Sequence, residues 1–215
     1  MPDVRQEAGP GRPDQDHDTV GCVARPEVVI VTHSGVAEPW GVRVPSGLDW
    51  QITIADRFVA GGVDVAAFVP DSRIEGVLVG LAGRGVLLRS LAREEECVAY
   101  AAGQRIAGRY PMVLMQSSGV GNALNALGSL AVPYRLGLPL VVSMRGTLAE
   151  ANPAQVPIGR ATRSLLGALG VQCFPLHRAE DAATVSDGVL ELAFGAQECA
   201  AMLLEPELGG GRERR

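Results

Sequence analysis

The stretch Met112-Val113-Leu114-Met115-Gln116-Ser117-Ser118-Gly119-Val120-Gly121-Asn122 decides how the rest of the chain is read. A short apolar run over 112–116 gives way to polar and glycine residues, and an amphipathic pattern follows over 121–131; this predicts strand, loop, helix. The same alternation recurs on both sides. Toward the N-terminus come helices over 47–60, 74–82 and 94–107, interleaved with strands over 64–69 and 86–88. Toward the C-terminus come strands over 138–144 and 171–175, a helix over 159–169 and a last helix over 183–203. Buried apolar strands alternating with amphipathic helices predict an α/β fold: a three-layer, doubly wound, mostly parallel sheet.

Composition narrows the classes of function. With 215 residues and 47% apolar content, the chain can bury one substantial core. The expected organisation is a disordered arm over 1–25, an irregular extension over 26–46, one domain over 47–203 and a flexible tail over 204–215. A formal net charge of −5 argues against nucleic acid or an anionic membrane as partner. The sequence has no lysine, which excludes a Schiff base, a pyridoxal phosphate anchor and a Walker-type phosphate loop. Cys22, Cys97, Cys173 and Cys199 are far apart and read as reduced and mostly buried. His17, His33 and His177 are isolated, so no metal site is expected from this chain's own residues. The polar N-terminus has no leader pattern, and no apolar run reaches the roughly 18 to 20 residues of a membrane span; a cytoplasmic protein is expected.

In an open sheet of this kind, ligands bind beyond the carboxyl ends of the strands. The loops there read Val69-Pro70-Asp71-Ser72, Arg93-Glu94-Glu95-Glu96, Gln116 to Asn122, and Ser143-Met144-Arg145-Gly146. Each carries a functional and a bland reading. Glu94 opens a helix whose first turns are rich in small residues, which permits close approach of a partner or flat ligand. Equally, three acidic residues at a helix start satisfy the helix dipole. Asp71 and Ser72 either contact a ligand or cap the next helix. The Arg145 guanidinium either grips an anion through paired hydrogen bonds or forms a surface salt bridge. Gly119-Val120-Gly121-Asn122 is either a tight turn or a helix start whose free amides, with Gln116, Ser117, Ser118 and Asn122, meet a ligand. It is a poor dinucleotide fingerprint, because the last glycine position is Leu124.

Taken together, the Arg93-Glu94-Glu95-Glu96, Ala101-Ala102-Gly103, Leu114 to Asn122, Met144-Arg145-Gly146 and Asn152 to Thr162 segments resemble the pyrimidine-binding (PYR) domain of thiamine diphosphate enzymes. The likeness is to the sulfopyruvate decarboxylase alpha subunits and phosphonopyruvate decarboxylases, and it covers roughly residues 48–171. The resemblance implies that Glu94, nine positions ahead of Gly103, hydrogen-bonds the aminopyrimidine ring of the cofactor and relays a proton there. It implies cofactor contacts for Gln116, Ser117, Ser118, Gly119 and Asn122. Asp71 would orient substrate or handle a proton, and Asp71, Ser72 and Arg145 would face the substrate.

The Gly-Asp-Gly signature of the diphosphate and Mg2+ site is missing from this chain. The resemblance therefore implies a beta subunit carrying the diphosphate-binding (PP) domain, and an alpha chain inactive alone. The implied substrate is a 2-oxo acid, 3-sulfopyruvate or 3-phosphonopyruvate. Arg93 to Glu96, Met144 to Gly146 and Gln155 to Gly159 favour the sulfopyruvate branch, whereas Val69 to Ser72 leans toward the other. Two competing expectations are a non-catalytic regulatory or assembly subunit of the same fold and a nucleotide-binding Rossmann protein.

Overall fold

The structure is a computed structural model that describes residues 50–147 and 150–209. The arm over 1–25, the extension over 26–46 and residues 210–215 of the expected tail lie outside the described residues.

Among the described residues, six α-helices and six strands alternate. They are α1 (Trp50–Ala60), β1 (Val65–Phe68), α2 (Glu75–Ala82), β2 (Leu87–Ser90), α3 (Glu94–Ile106) and β3 (Pro111–Gln116). After them come α4 (Ser117–Ala126), β4 (Pro139–Ser143), α5 (Val156–Ala168), β5 (Gln172–Leu176), α6 (Ala182–Leu190) and β6 (Ala200–Leu204). A π turn over Leu127–Ala131 prolongs α4 and another over Glu191–Gly195 prolongs α6. The strands form one sheet in the order β2-β1-β3-β4-β6-β5, and every pairing is parallel. The expected fold class is thus observed, with a wholly parallel sheet.

Helices α3, α4 and α5 pack beside one another, as do α2, α1 and α6, which gives a helical layer to each side of the sheet. The inner strands β1, β3, β4 and β6 are nearly continuous apolar runs because both of their faces are covered, whereas the edge strands β2 and β5 carry exposed residues. Val65 to Phe68, Met112 to Met115 and Leu140 to Val142 are all buried. Small residues bring the helices close: Ala101 of α3 and Ala123 of α4 join Val113 and Met115 in a shared core. Cys97 belongs to that core, and burial, reinforced by Glu94 and Glu96, pushes its thiol up to about 12. Cys97, Cys173 and Cys199 are free.

Two expectations are corrected. The last helix, expected over 183–203, stops at Leu190; after the π turn the chain reverses through Gln197 in the left-handed region (φ 59°) and enters β6. Ala200-Ala201-Met202-Leu203-Leu204 are good helix formers in isolation. All five are buried between β4 and β5, and filling that slot overrides local preference. Leu204, assigned to the tail, closes this strand, and a 3-10 turn follows over Pro206–Leu208. The second correction is the start of α4, which lies at Ser117 rather than 121. No loop separates β3 from α4, so the segment read as a turn is the first turn of the helix.

Candidate active site

The chain runs outward from β1 to β2 and then returns past β1 to form β3, so its direction across the sheet reverses between β1 and β3. A crevice opens at the carboxyl ends of strands at such a reversal. Asp71 lies on the turn after β1 and Gln116 ends β3, so the two face each other there. Gln116 Nε2 donates to Asp71 Oδ1 at 3.5 Å, and Ser118 Oγ donates to Gln116 Oε1 at 2.7 Å. Ser143, the fully buried last residue of β4, donates its hydroxyl to Asp71 Oδ2.

Asp71 does not cap α2. The N-cap of α2 is Ile74 and has no side-chain cap, whereas the Asp71 carboxylate turns inward across the ends of β1, β3 and β4. Ser72 is exposed, and no side-chain hydrogen bond holds it among the described residues.

A second group is built between α3 and α4. Glu94 is the first residue of α3, and Arg93 before it is extended; the Arg93 amide donates to Glu96 Oε2 at 3.3 Å, securing the helix start. The Glu94 side chain lies over α4, where Asn122 Nδ2 donates to Glu94 Oε2 at 3.0 Å. Gly119, one turn earlier on α4, sits directly beneath the carboxylate; a Cβ there would collide with Glu94 Cγ, Cδ and Oε1. Glu94 Oε1 accepts no hydrogen bond among the described residues. Glu95 pairs with Arg93 at 2.7 Å.

Arg145 follows β4 and adopts the salt-bridge alternative. Its Nε and Nη2 donate to Glu150 Oε2 and Oε1 at 2.9 and 3.0 Å, a bidentate pair. Glu150 also accepts from the amides of Asn152 at 3.0 Å and Gly146 at 3.2 Å. The Arg145 guanidinium, then those amides, hold the Glu150 carboxyl down to about 2. The Arg145 amide donates to Ser117 Oγ at 3.1 Å, which ties the β4 exit to the start of α4. Gly146 (φ 77°) packs against the backbone of Gln155 and Val156, and Gly159 against the backbone of Arg145. The Met-Arg-Gly and Pro-Ile-Gly segments are therefore two halves of one backbone contact that leaves no room for a side chain.

The expected site residues fall into two groups at the same edge of the sheet. Asp71, Gln116 and Ser118 are linked through hydrogen bonds, with Arg145 bonded separately to Ser117 beside them and Ser72 joined to neither, while Glu94, Gly119 and Asn122 are in contact. Two residues were not anticipated. Ser143 breaks an apolar strand with a buried hydroxyl, a signal that was readable. Glu150 is an unremarked acidic residue five positions after Arg145. A shallow hollow lined by Arg57, Asp187, Glu191 and Phe194 lies where α1 leads into β1, at the amino edge of the sheet and away from both groups.

No family model matches the chain. Over 145 residues it is 32% identical to the sulfopyruvate decarboxylase subunit alpha of Methanococcus maripaludis, covering 67% of this chain and 87% of that one. Over 146 residues it is 37% identical to the subunit alpha of Methanothermobacter thermautotrophicus, covering 67% and 88%. The chain belongs to the sulfopyruvate decarboxylase alpha-subunit family. A phosphonopyruvate decarboxylase of Streptomyces hygroscopicus is 28% identical over 148 residues, and the chain spans 37% of its length. The fold resembles that of a 2-oxoglutarate:ferredoxin oxidoreductase from Magnetococcus marinus, with a TM-score of 0.57 and 14% identity over 74% of this chain and 29% of that one. Among the described residues no helix is long and apolar enough to cross a membrane, and no three His, Cys, Asp or Glu side chains are grouped to hold a metal ion.

Proposed function

We propose that this chain is the alpha subunit of a thiamine diphosphate-dependent decarboxylase that converts a 3-anionic pyruvate, 3-sulfopyruvate or 3-phosphonopyruvate, to the corresponding acetaldehyde and carbon dioxide. The observation that carries this reading is the Glu94 carboxylate, steadied on one oxygen by Asn122 and resting on Gly119, with its other oxygen unused. A carboxylate held in that way suits the ring nitrogen of an aminopyrimidine, and the bare backbone at Gly119 suits a flat ring. The pyrimidine end of the cofactor therefore fits the residues present. The diphosphate and Mg2+ fit a beta subunit with a PP domain, since this chain groups no metal-holding side chains among its described residues.

When bound, thiamine diphosphate supplies the sink for the electron pair left by departing carbon dioxide. The chain's own residues do the rest. Glu94 holds and returns a proton at the ring nitrogen, and Asn122 keeps its carboxylate from rotating away. Asp71, fixed by Ser143 and Gln116, presents a carboxylate at the crevice, where it orients the 2-oxo acid or exchanges a proton with it. Gln116, Ser117 and Ser118 line the start of α4, where helix amides and hydroxyls receive negative charge. Ser72 and Arg145 flank the substrate side; the Arg145 Nη1 donors are not engaged by Glu150. A purely assembling subunit would have no use for a carboxylate seated on a glycine, so that alternative is not favoured.

The test combines the purified chain with its beta partner, Mg2+ and thiamine diphosphate and measures carbon dioxide released from each of the two substrates. Glu94→Gln keeps the shape but not the proton relay, and is expected to lower turnover about 100-fold or more while leaving assembly intact. Full activity in that variant would remove Glu94 from the mechanism.

A further inference from the structure

Arg73 lies two residues beyond Asp71, on the turn from β1 into α2, and none of the roles above uses it. Its Nη2 donates to the carbonyl of Glu205 at 2.8 Å, and its own carbonyl accepts from Gln51 Nε2 at 3.0 Å. Its Nε is buried with no hydrogen-bond partner, and Nη1 makes no hydrogen bond among the described residues. The guanidinium forms no ion pair among those residues either.

The position of that group follows from the sheet. Glu205 comes directly after Leu204, which pairs with Ser143 across β4 and β6, and Ser143 donates to Asp71. The Arg73 guanidinium is therefore anchored past the end of β6, next to the end of β4 whose Ser143 holds the Asp71 carboxylate. Burial chiefly lowers its pKa; Asp71 and, more weakly, Glu205 and Glu207 support the cation, and the like charge of Arg145 opposes it.

The neighbouring arginines differ from it. Arg145 is matched by Glu150 and Arg163 by the carboxylate of Glu205. Asp71 already accepts two hydrogen bonds. Arg73 is left as a half-buried cation with unused donors and no direct ion-pair partner among the described residues, and a charge so placed gains when an anion meets it.

We propose that Arg73 determines specificity by binding the anionic group on carbon three of the substrate, its guanidinium pairing with two oxygens of the sulfonate or phosphonate. This rests on the decarboxylase reading of the site. Arg145 then completes the pocket through its Nη1 donors, while Glu150 keeps its charge balanced in the absence of substrate. The flat guanidinium fork suits an oxyanion, which a compact ammonium would match less well.

The experiment uses the complex with the beta partner and compares kcat/KM for 3-sulfopyruvate with kcat/KM for pyruvate, which has no charge on carbon three. In Arg73→Met the ratio is expected to fall about 100-fold, chiefly through loss of the sulfonate substrate, and Arg73→Lys should recover part of it. An unchanged ratio, or an equal fall with both substrates in both variants, would show that Arg73 only anchors Glu205 and would overturn the proposal. Calorimetric titration of the same complexes with 3-sulfopropionate, which cannot be decarboxylated, separates the two readings. If the wild-type complex releases no carbon dioxide but binds this anion in an Arg73-dependent way, the decarboxylase reading fails and the anion site stands. No saturable binding by the wild-type complex removes the anion site.

Discussion

A carboxylate that rests on a glycine is sensitive to a single methyl group. Gly119 sits inside α4 and not in the left-handed region, so alanine is conformationally allowed there, and in a helix interior it favours folding by about 1 kcal/mol. Its methyl would nevertheless occupy the space of the Glu94 side chain. Gly119→Ala is therefore expected to lose at least about 10-fold in decarboxylation while its thermal midpoint is held or raised, since a 1 Å displacement at a reacting centre is enough for that loss. Enzyme assay and melting curve measured on the same preparation check this; parallel losses in both would point to disruption of the helix instead. The Glu150 carboxyl gives a second prediction at this scale. Its pKa is lowered from 4.5 to about 2 in the folded chain, so its pairing with Arg145 stabilises the fold above about pH 5 and is lost as pH falls toward 2. Glu150→Gln should be less stable than the parent at neutral pH, with the gap closing between about pH 4.5 and 2 in denaturant titrations. A gap that stays constant with pH would refute it.

At the scale of elements, β6 shows where pattern reading reaches its limit. Period and flanking turns located β1, β3, β4 and β5, because each is a short apolar run bounded by glycine, proline or polar residues. Gly195, Gln197 and Glu198 do precede Ala200 to Leu204, but the composition of the run favours helix and continues the helical pattern upstream, so the place between β4 and β5 is what reveals it as a strand. That insertion makes β6 a central strand. Leu203→Ala should then cost about 2–5 kcal/mol in equilibrium unfolding, the range for a fully buried leucine, whereas an exposed position on a terminal helix would cost a few tenths. The start of α4 was misread for a related reason. Gly119 and Gly121 look like turn residues, yet Gly119 is a glycine because Glu94 lies upon it, a contact between positions 94 and 119 that no local window contains.

At the scale of the whole molecule, the doubly wound sheet and the edge that carries the site were both legible, since strand exits such as Val69 to Asp71 and Met115 to Ser117 can be read one at a time. Pairings across the edge were not. Asp71 finds Ser143 over 72 positions of sequence, and Arg163 finds Glu205 over 42. Such matches depend on strand order, which β6 alters.

The passage of β3 into α4 without an intervening residue has a consequence for how this molecule can change. One residue added or removed between Gln116 and Ser117 would turn every α4 side chain by about 100° and carry Gly119 and Asn122 away from the α3 crevice. Altering loop length, the ordinary route by which α/β scaffolds acquire new ligands, is closed at that junction. Divergence among such chains is then expected to proceed by exchanging side chains at the strand exits, such as Asp71 and Ser72 after β1, with the junction itself kept.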